Sequence, residues 1–538
     1  MTTNDTTSQE DMNRRDFLAL SILGGLTGLL AACGGGSSNT GNATPASTTS
    51  KATPGATPTQ QPSPSGADWS ALASSLQGSL VRPGNSQYTT AHQLFSTRFD
   101  NILPAAIAYC ASVADIQKCL AFVRRFNLPF APRSGGHSYA GYSTSKGLVL
   151  DVTRMNAVTV NAGTATIGAG ARLIDVYNAI TQYGLLLPAG SCATVGIAGL
   201  TLGGGVGVIS RKFGLTCDNL LSAQVVIADG SVLTCNANQN SDLFWALRGG
   251  GGGNFGVVTS FDFQLHQVAA LSLFTLDWPW SIAANVFDAW QNWGPQAPDE
   301  LWSNCLLLST SNTNVEPAVR VNGVYVGEAG PLNALLQQLI SRVGSAPTGN
   351  YVFTDSLLET MLVEAGCYGK SVAACHLPSQ NPQGTLQRDT SGAKSDYFTS
   401  LLPRQGIDIL VNAISRRQSS ATLGNGGIGL DAYGGAINRV AAGATAFVHR
   451  SALFSAQYTA NWNAGAPASI IAANFSWLAE TWQALRPYAS GAAYQNYIDP
   501  NLVGWQQAYY GANLPRLQQI KATYDPDNLF HFAQSIPT

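Results

Sequence analysis

Pro129-Phe130-Ala131-Pro132-Arg133-Ser134-Gly135-Gly136-His137-Ser138-Tyr139 reads as a strand that runs into a glycine turn and ends on a histidine. Adjacent glycines let successive backbone N–H groups converge on one anion, as a pyrophosphate requires, and Arg133 adds a positive charge beside them. Alone, such a loop reads as readily as a tight turn with a packed histidine. A second element places Cys192 55 positions beyond His137: Gly190-Ser191-Cys192-Ala193-Thr194-Val195-Gly196-Ile197-Ala198-Gly199, continuing to Gly203-Gly204-Gly205-Val206-Gly207. Its glycine density permits backbone to approach a flat ligand closely, and it places one thiol inside that approach. A third run, Gly251-Gly252-Gly253-Asn254-Phe255-Gly256, matches G-x-G-x-x-G, with Asp277 21 residues beyond its last glycine. A dinucleotide-binding Rossmann unit needs a strand before this fingerprint and a helix after it. Here Leu243–Leu247 reads as helix and Val257–Phe263 as strand, so a nicotinamide fold is rejected.

Outward from these segments, Leu148–Val152 and Ala223–Ile227 read as buried strands, and Arg172–Tyr183 has helical periodicity. Beyond Val268 the texture changes. Val319–Val326 alternates as in an antiparallel strand and Ala334–Ile340 reads as helix, giving a second domain with a helix-covered antiparallel sheet. The 538 residues carry 28 basic and 30 acidic side chains, a formal net charge of -2, which provides no basic face for nucleic acid. Charged residues make up 11% of the chain against about 25% in an average soluble one, so the surface is sparsely charged.

Asn13-Arg14-Arg15-Asp16-Phe17-Leu18 resembles a twin-arginine export signal, and the uncharged stretch Phe17–Ala32 is shorter than the ~20 residues that span a bilayer. Leu30-Ala31-Ala32-Cys33 resembles a lipobox, in which Cys33 is lipidated. Residues 1–33 are thus read as a signal and residues 34–66, rich in Ser, Thr, Gly and Pro, as a disordered linker. The expected location is the cell envelope, with the membrane reached through the lipid anchor alone. Cys110 (strand Ala105–Cys110) and Cys119 (helix Val113–Arg125) have similar spacing to Cys367 and Cys375. Buried thiols are expected for all four and no disulfide is assigned. No cysteine or histidine spacing suggests a metal.

Arg133-Ser134-Gly135-Gly136-His137, Cys192-Ala193-Thr194-Val195-Gly196, Arg248–Gly256, Tyr494-Gln495-Asn496-Tyr497 and Tyr524-Asp525-Pro526-Asp527-Asn528-Leu529-Phe530 together resemble the berberine bridge enzyme-like flavoproteins of the vanillyl-alcohol-oxidase superfamily. The resemblance runs in order from about residue 70 to the end. It implies an α+β fold with a two-part PCMH-type FAD-binding domain (67–267), a substrate domain (268–489) and a segment returning to the flavin (490–538). It also implies FAD linked through both His137 and Cys192. The expected cofactor contacts are Arg133, Ser134, Gly135, Gly136, Ser138, Gly141, Val195, Gly196, Gly199, Gly203, Gly256, Val258 and Asn496. One departure is Ala193, where plant relatives usually carry proline.

The family reaction is a two-electron oxidation, so the resemblance implies oxidation of an alcohol on a carbohydrate or another small molecule. Tyr494 is the favoured base, Tyr139 a second polar wall and Tyr497 a substitute; a phenol of ordinary pKa ~10 needs nearby donors or positive charge to serve. Relatives that act on amines carry a glutamate before an arginine-bearing strand. Ala444–Arg450 has none, which argues for alcohols. Val195, three positions after the flavin-linked cysteine, matches the valine typical of oxidases, so oxygen is the expected acceptor. The alternatives are a dehydrogenase that reduces a quinone or redox partner, and a solute-binding lipoprotein without catalysis. Trp278 and Trp280 on one strand face, and Trp290 and Trp293 on one helix face, offer rings for sugar stacking, although core packing is the commoner role. His449-Arg450 and Asp431–Gly435 are placed on the substrate side without a role.

Overall fold

The computed structural model describes residues 63–538, so the twin-arginine and lipobox motifs and nearly all of the linker lie outside the described residues. A four-stranded sheet comes first, from β1 (Ser79–Val81), β2 (Ala106–Tyr109), β3 (Phe130–Arg133) and β4 (Leu148–Asp151), in the order β1-β2-β4-β3. β4 is parallel to both its neighbours, and its Leu-Val-Leu run is buried on both faces as a central parallel strand demands. The helix Val113–Phe126 connects β2 to β3. Ser112 caps its start by accepting from Asp115 N–H, and Asn127, left-handed at φ 48°, ends it.

A five-stranded antiparallel sheet follows, from β5 (Val158–Asn161), β6 (Thr164–Gly168), β8 (Leu220–Val226), β9 (Val232–Asn236) and β10 (Val257–Gln264), ordered β5-β6-β10-β8-β9. β10 directly follows the G-x-G-x-x-G run, and its neighbours β6 and β8 are both antiparallel to it. No parallel β-α-β unit is formed there. The short pair β7 (Leu185–Leu186) and β11 (His266–Gln267) closes this part of the chain.

The third sheet holds β12 (Leu271–Trp278), β13 (Leu301–Ser309), β14 (Ala318–Val326), β15 (Gly349–Asp355), β16 (Ser391–Phe398), β17 (Gly426–Ala432) and β18 (Phe454–Asn461), ordered β15-β12-β14-β13-β17-β18-β16 and antiparallel throughout. Side chains alternate across a strand. Leu301, Cys305 and Leu307 of β13, Ile428, Leu430 and Ala432 of β17, and Ala456, Tyr458 and Ala460 of β18 therefore pack into one core. That core is completed by the helices Ala283–Trp293, Ala329–Val343, Arg404–Gln418 and Ala468–Leu485. The intervening residues Trp302, Asn304, Asp431, Gln457 and Thr459 point to the opposite face, which is the floor of the site described below. The architecture is α+β, with helices covering one face of the antiparallel sheet.

Two expectations are corrected. Cys367 and Cys375 form a disulfide, because a turn of chain after the helix Leu357–Glu364 brings their Cα atoms to 5.8 Å; the spacing alone did not reveal that turn. Trp280 lies beyond the end of β12 and donates from its indole N–H to Ser415 Oγ, so it shares no strand face with Trp278. Trp278, Trp290 and Trp293 are core residues, whereas Trp302 lines the cavity.

The C-terminal motif folds around one carboxylate. Asp525 accepts from the N–H groups of Leu529 (2.7 Å) and Phe530 (2.8 Å) and from Lys521 Nζ (2.6 Å), and Lys521 also donates to the carbonyls of Asn254 and Phe530. Both ionic side chains are fully buried. Removing one partner of such a pair strands the other, at a cost of about 3–5 kcal/mol. Lys521→Met is expected to lower the urea midpoint by a corresponding amount. An unchanged midpoint would contradict this role.

Candidate active site

A cavity of about 490 Å³, within the range of about 300–1,000 Å³ usual for small-molecule sites, lies between the first two sheets and the open face of the third. The loop after β3, the glycine segment 190–208, the third glycine run, the C-terminal residues 494–498 and the floor residues of β13, β17 and β18 all reach it.

The two nucleophile-bearing segments meet. His137 Nε2 lies 2.8 Å from Thr194 Oγ1, two residues past Cys192, and the imidazole stacks on Phe95 with centroids 4.0 Å apart. Burial and then the Arg172 charge push its pKa down to about 3, so the ring is neutral and nucleophilic. With Nε2 engaged by Thr194, Nδ1 is the nitrogen left for another bond. Cys192 is half-buried and lines the same cavity. The approach depends on glycine: a Cβ on Gly135 would sit 2.2 Å from Gly196 N, and one on Gly196 would sit 2.1 Å from Ser134 Oγ.

Arg133 lines the cavity as an ion-paired side chain. Its guanidinium is buried against Asp151 (2.5 Å) and the Ala91 carbonyl (2.8 Å). These bonds, through Nε and Nη2, hold β3 to β4 and to the segment before β2, while Nη1 is left without a partner in a residue that lines the cavity.

The remaining predicted contacts divide by role. Ser134, Gly135, Gly136, Ser138, Val195, Gly196, Gly199, Gly256, Val258 and Asn496 all line the cavity. Gly141 and Gly203 act from behind it. Gly141, at φ +76°, turns the chain against Phe99, and Gly203 leaves room for Asn496, whose Oδ1 would be 1.9 Å from a Cβ there. Asn496 Nδ2 donates to the Leu200 carbonyl and to Tyr494 Oη, each at 3.0 Å.

The three tyrosines are gathered here. Tyr139 and Tyr497 stack with centroids 5.6 Å apart, and Tyr494 meets Tyr497 edge-on at 4.9 Å. Tyr139 Oη accepts from Gln457 Nε2 at 2.9 Å, and Tyr494 Oη accepts from Gly205 N–H at 2.9 Å as well as from Asn496. Burial nevertheless drives the Tyr494 and Tyr497 phenols upward, and for Tyr497 the nearby Asp431 adds to that rise.

Sequence reasoning leaves Glu364 unnoticed and places Asp431 on the substrate side without a role. Asp431 on β17, opposite Asn304 of β13, and Glu364 at the end of the helix Leu357–Glu364 both line the cavity. Burial lifts Asp431 to about 6 and Glu364 to about 7, and Asp431 contributes to the shift of Glu364. No residue of 444–450 lines the cavity. That stretch is loop, with Arg450 bound to Asp218 at 2.6 Å, and the carboxylate arrives from β17 instead. A signal was available: Asp431 interrupts the otherwise apolar run Ile428–Ala432 at an alternating position.

Residues 104–236 match a family model described as an FAD binding domain, and residues 493–537 match one described as berberine and berberine like. The FAD-linked oxidoreductase YgaK of Bacillus subtilis (strain 168), itself uncharacterized, is 34% identical over 86% of this chain and 97% of its own length. The chain belongs to the berberine bridge enzyme-like FAD-linked oxidoreductases. Among solved structures, BBE-like 1 of Physcomitrella patens is 33% identical, with a TM-score of 0.79 over 87% of this chain and 99% of that one. A xylooligosaccharide oxidase from Myceliophthora thermophila C1, solved with xylobiose, is 28% identical, with a TM-score of 0.76 over the same shares. A berberine bridge enzyme-like protein binds FAD, and this cavity fits it: a Cβ on Gly199 would meet no atom within 4 Å and so would project into the space a flat ring system needs. Membership sets aside the solute-binding alternative.

Proposed function

We propose that the protein oxidises an alcohol group of a carbohydrate, with FAD held covalently through His137 and Cys192 and with Asp431 as the base. The observation that carries this reading is a half-buried carboxylate, Asp431, which lines the same cavity as the two nucleophiles. Bound FAD supplies the acceptor for the hydride that leaves the alcohol carbon. Asp431, at about 6, is ionised at neutral pH yet close enough to it to take a hydroxyl proton efficiently. Tyr494 is the weaker base of the two. Its phenol is raised, and its oxygen already accepts two hydrogen bonds, so it serves to position Asn496 and the 204–206 backbone. Tyr139 and Tyr497 form the wall against which the alcohol is oriented. Gln457, Thr459 and Asn304 offer sugar hydroxyls hydrogen-bonding partners, and Trp302 offers a ring. The activity of the xylooligosaccharide oxidase supports the carbohydrate class. An oxygen-consumption screen of neutral oligosaccharides, monosaccharides and aromatic alcohols tests the reading; turnover of aromatic alcohols alone would replace the substrate class.

Val195 supports oxygen as the acceptor, since it stands at the position where valine accompanies oxidase activity. Reduced enzyme is expected to reoxidise in air-saturated buffer within seconds, and Val195→Leu to slow this step. A reduced form that persists for minutes in air but reacts promptly with a quinone would establish the dehydrogenase reading.

For location we propose export through Arg14-Arg15 and anchoring at Cys33. The disulfide Cys367–Cys375 supports an oxidising compartment. Cells fed radioactive fatty acid are expected to label the wild type and not Cys33→Ser. Equal absence of label in both would refute the anchor.

A further inference from the structure

Glu364 takes no part in the proton transfer described above, yet it is placed as if for a ligand. Its side chain lines the cavity at 6% exposure, and Oε2 is buried without a hydrogen-bond partner. A carboxylate oxygen left unpaired out of water carries its full desolvation cost, so its position calls for a partner supplied from the cavity. The side chain has little freedom to swing outward. Leu357 and Met361 of its helix are buried in the main core, Leu362 packs in the cluster of Phe95 and Ala193, and the disulfide Cys367–Cys375 secures the chain just beyond.

The charges around it are unbalanced. From β17, Asp431 faces the same space, and from the helix Leu173–Thr181, Tyr177 lies close enough for the Glu364 charge to raise its phenol. Among the described lining residues there is no lysine. The one arginine, Arg133, is ion-paired with Asp151 though its Nη1 has no partner, and the two histidines are His137, a neutral imidazole, and the exposed His531. A neutral hydroxyl can donate to Oε2 but adds no charge to offset the two acids. An ammonium group supplies both the donor and the missing charge, while an acidic group adds a third negative charge.

We propose that Glu364 selects substrates by charge, so that the cavity prefers a carbohydrate bearing a protonated amino substituent over a neutral one and rejects an acidic one. The proposal rests on the carbohydrate reading above and deepens it. Binding can be read without turnover, from the perturbation of the flavin absorbance when anaerobic holoenzyme is titrated at neutral pH. Three probes suffice: glucosamine oligosaccharides, neutral xylo- or cello-oligosaccharides, and oligogalacturonates. The expected Kd for the glucosamine series is about tenfold or more below that of the neutral series, as for a hydrogen bond to a charged group. Oligogalacturonates are expected to bind weakest. Glu364→Gln, which keeps shape and removes charge, is expected to bring the first two Kd values together and to improve oligogalacturonate binding. Should that variant fail to fold, Glu364→Asp retains the charge and is expected to retain the cation preference.

Equal affinities in the wild type, a preference unaltered by Glu364→Gln, a preference lost in a folded Glu364→Asp, or no perturbation by any probe would each overturn the proposal. If amino sugars perturb the spectrum with the predicted preference but never bleach it, charge selection stands and alcohol oxidation fails.

Discussion

Asp431→Asn is expected to leave fold and flavin content intact and to lower the rate of flavin reduction by about 10²–10⁴-fold, the range for removing a positioned general base. Asparagine fills the same volume opposite Asn304 and cannot accept the hydroxyl proton. The pH dependence follows from the same group. Burial raises its pKa to about 6, so the competent ionised form is lost as pH falls through that value and regained as it rises. Glu364, raised to about 7, and the phenols of Tyr497 and Tyr433 face the same carboxylate, so the observed midpoint belongs to the group and not to one side chain. Wild-type reduction is therefore expected to rise from pH 5 to a plateau above about 7, and Asp431→Asn to lack this rise. Tyr494→Phe is expected to cost less than Asp431→Asn. The reverse order would return the base to Tyr494.

The second large effect concerns the cofactor. Acid-denatured wild type is expected to stay yellow, with the peptide containing Cys192 joined through FAD to the one containing His137. His137→Ala and Cys192→Ala should each retain one bond, whereas the double variant should release all its FAD on denaturation. A neutral imidazole with a ring nitrogen to spare and a half-buried thiol border the same cavity from adjoining segments. The thiolate adds more readily if neighbouring N–H groups lower its pKa. Release of all flavin from the wild type would exclude either bond.

The readable parts of this chain were those in which local chemistry and global placement agree. Gly135 and Gly196 could be read because only glycine permits that backbone contact, β4 because its Leu-Val-Leu run is apolar, and β10 because its apolar residues Val257, Phe261 and Phe263 fall on alternating positions. The role of Asp431, and Glu364 altogether, were hidden for the opposite reason. Asp431 reaches the cavity only through the register of β13, β17 and β18, a long-range pairing with no local periodicity of its own. Glu364 follows an ordinary amphipathic helix and looks like a solvated last-turn residue. The ion pair of Arg133 with Asp151 was hidden as well, because the parallel pairing of β3 with β4 brings the two together across 18 positions of sequence. The disulfide escaped because spacing says nothing about the turn that closes it.

The central claim is that this cavity removes a proton and a hydride from a carbohydrate alcohol, and anaerobic mixing of purified holoenzyme with oligosaccharides tests it most directly. The account predicts bleaching of the oxidised flavin band at a rate that saturates with sugar, increases with pH through about 6, and collapses in Asp431→Asn. Flavin that stays oxidised with every carbohydrate, or that bleaches equally fast in Asp431→Asn, would contradict it.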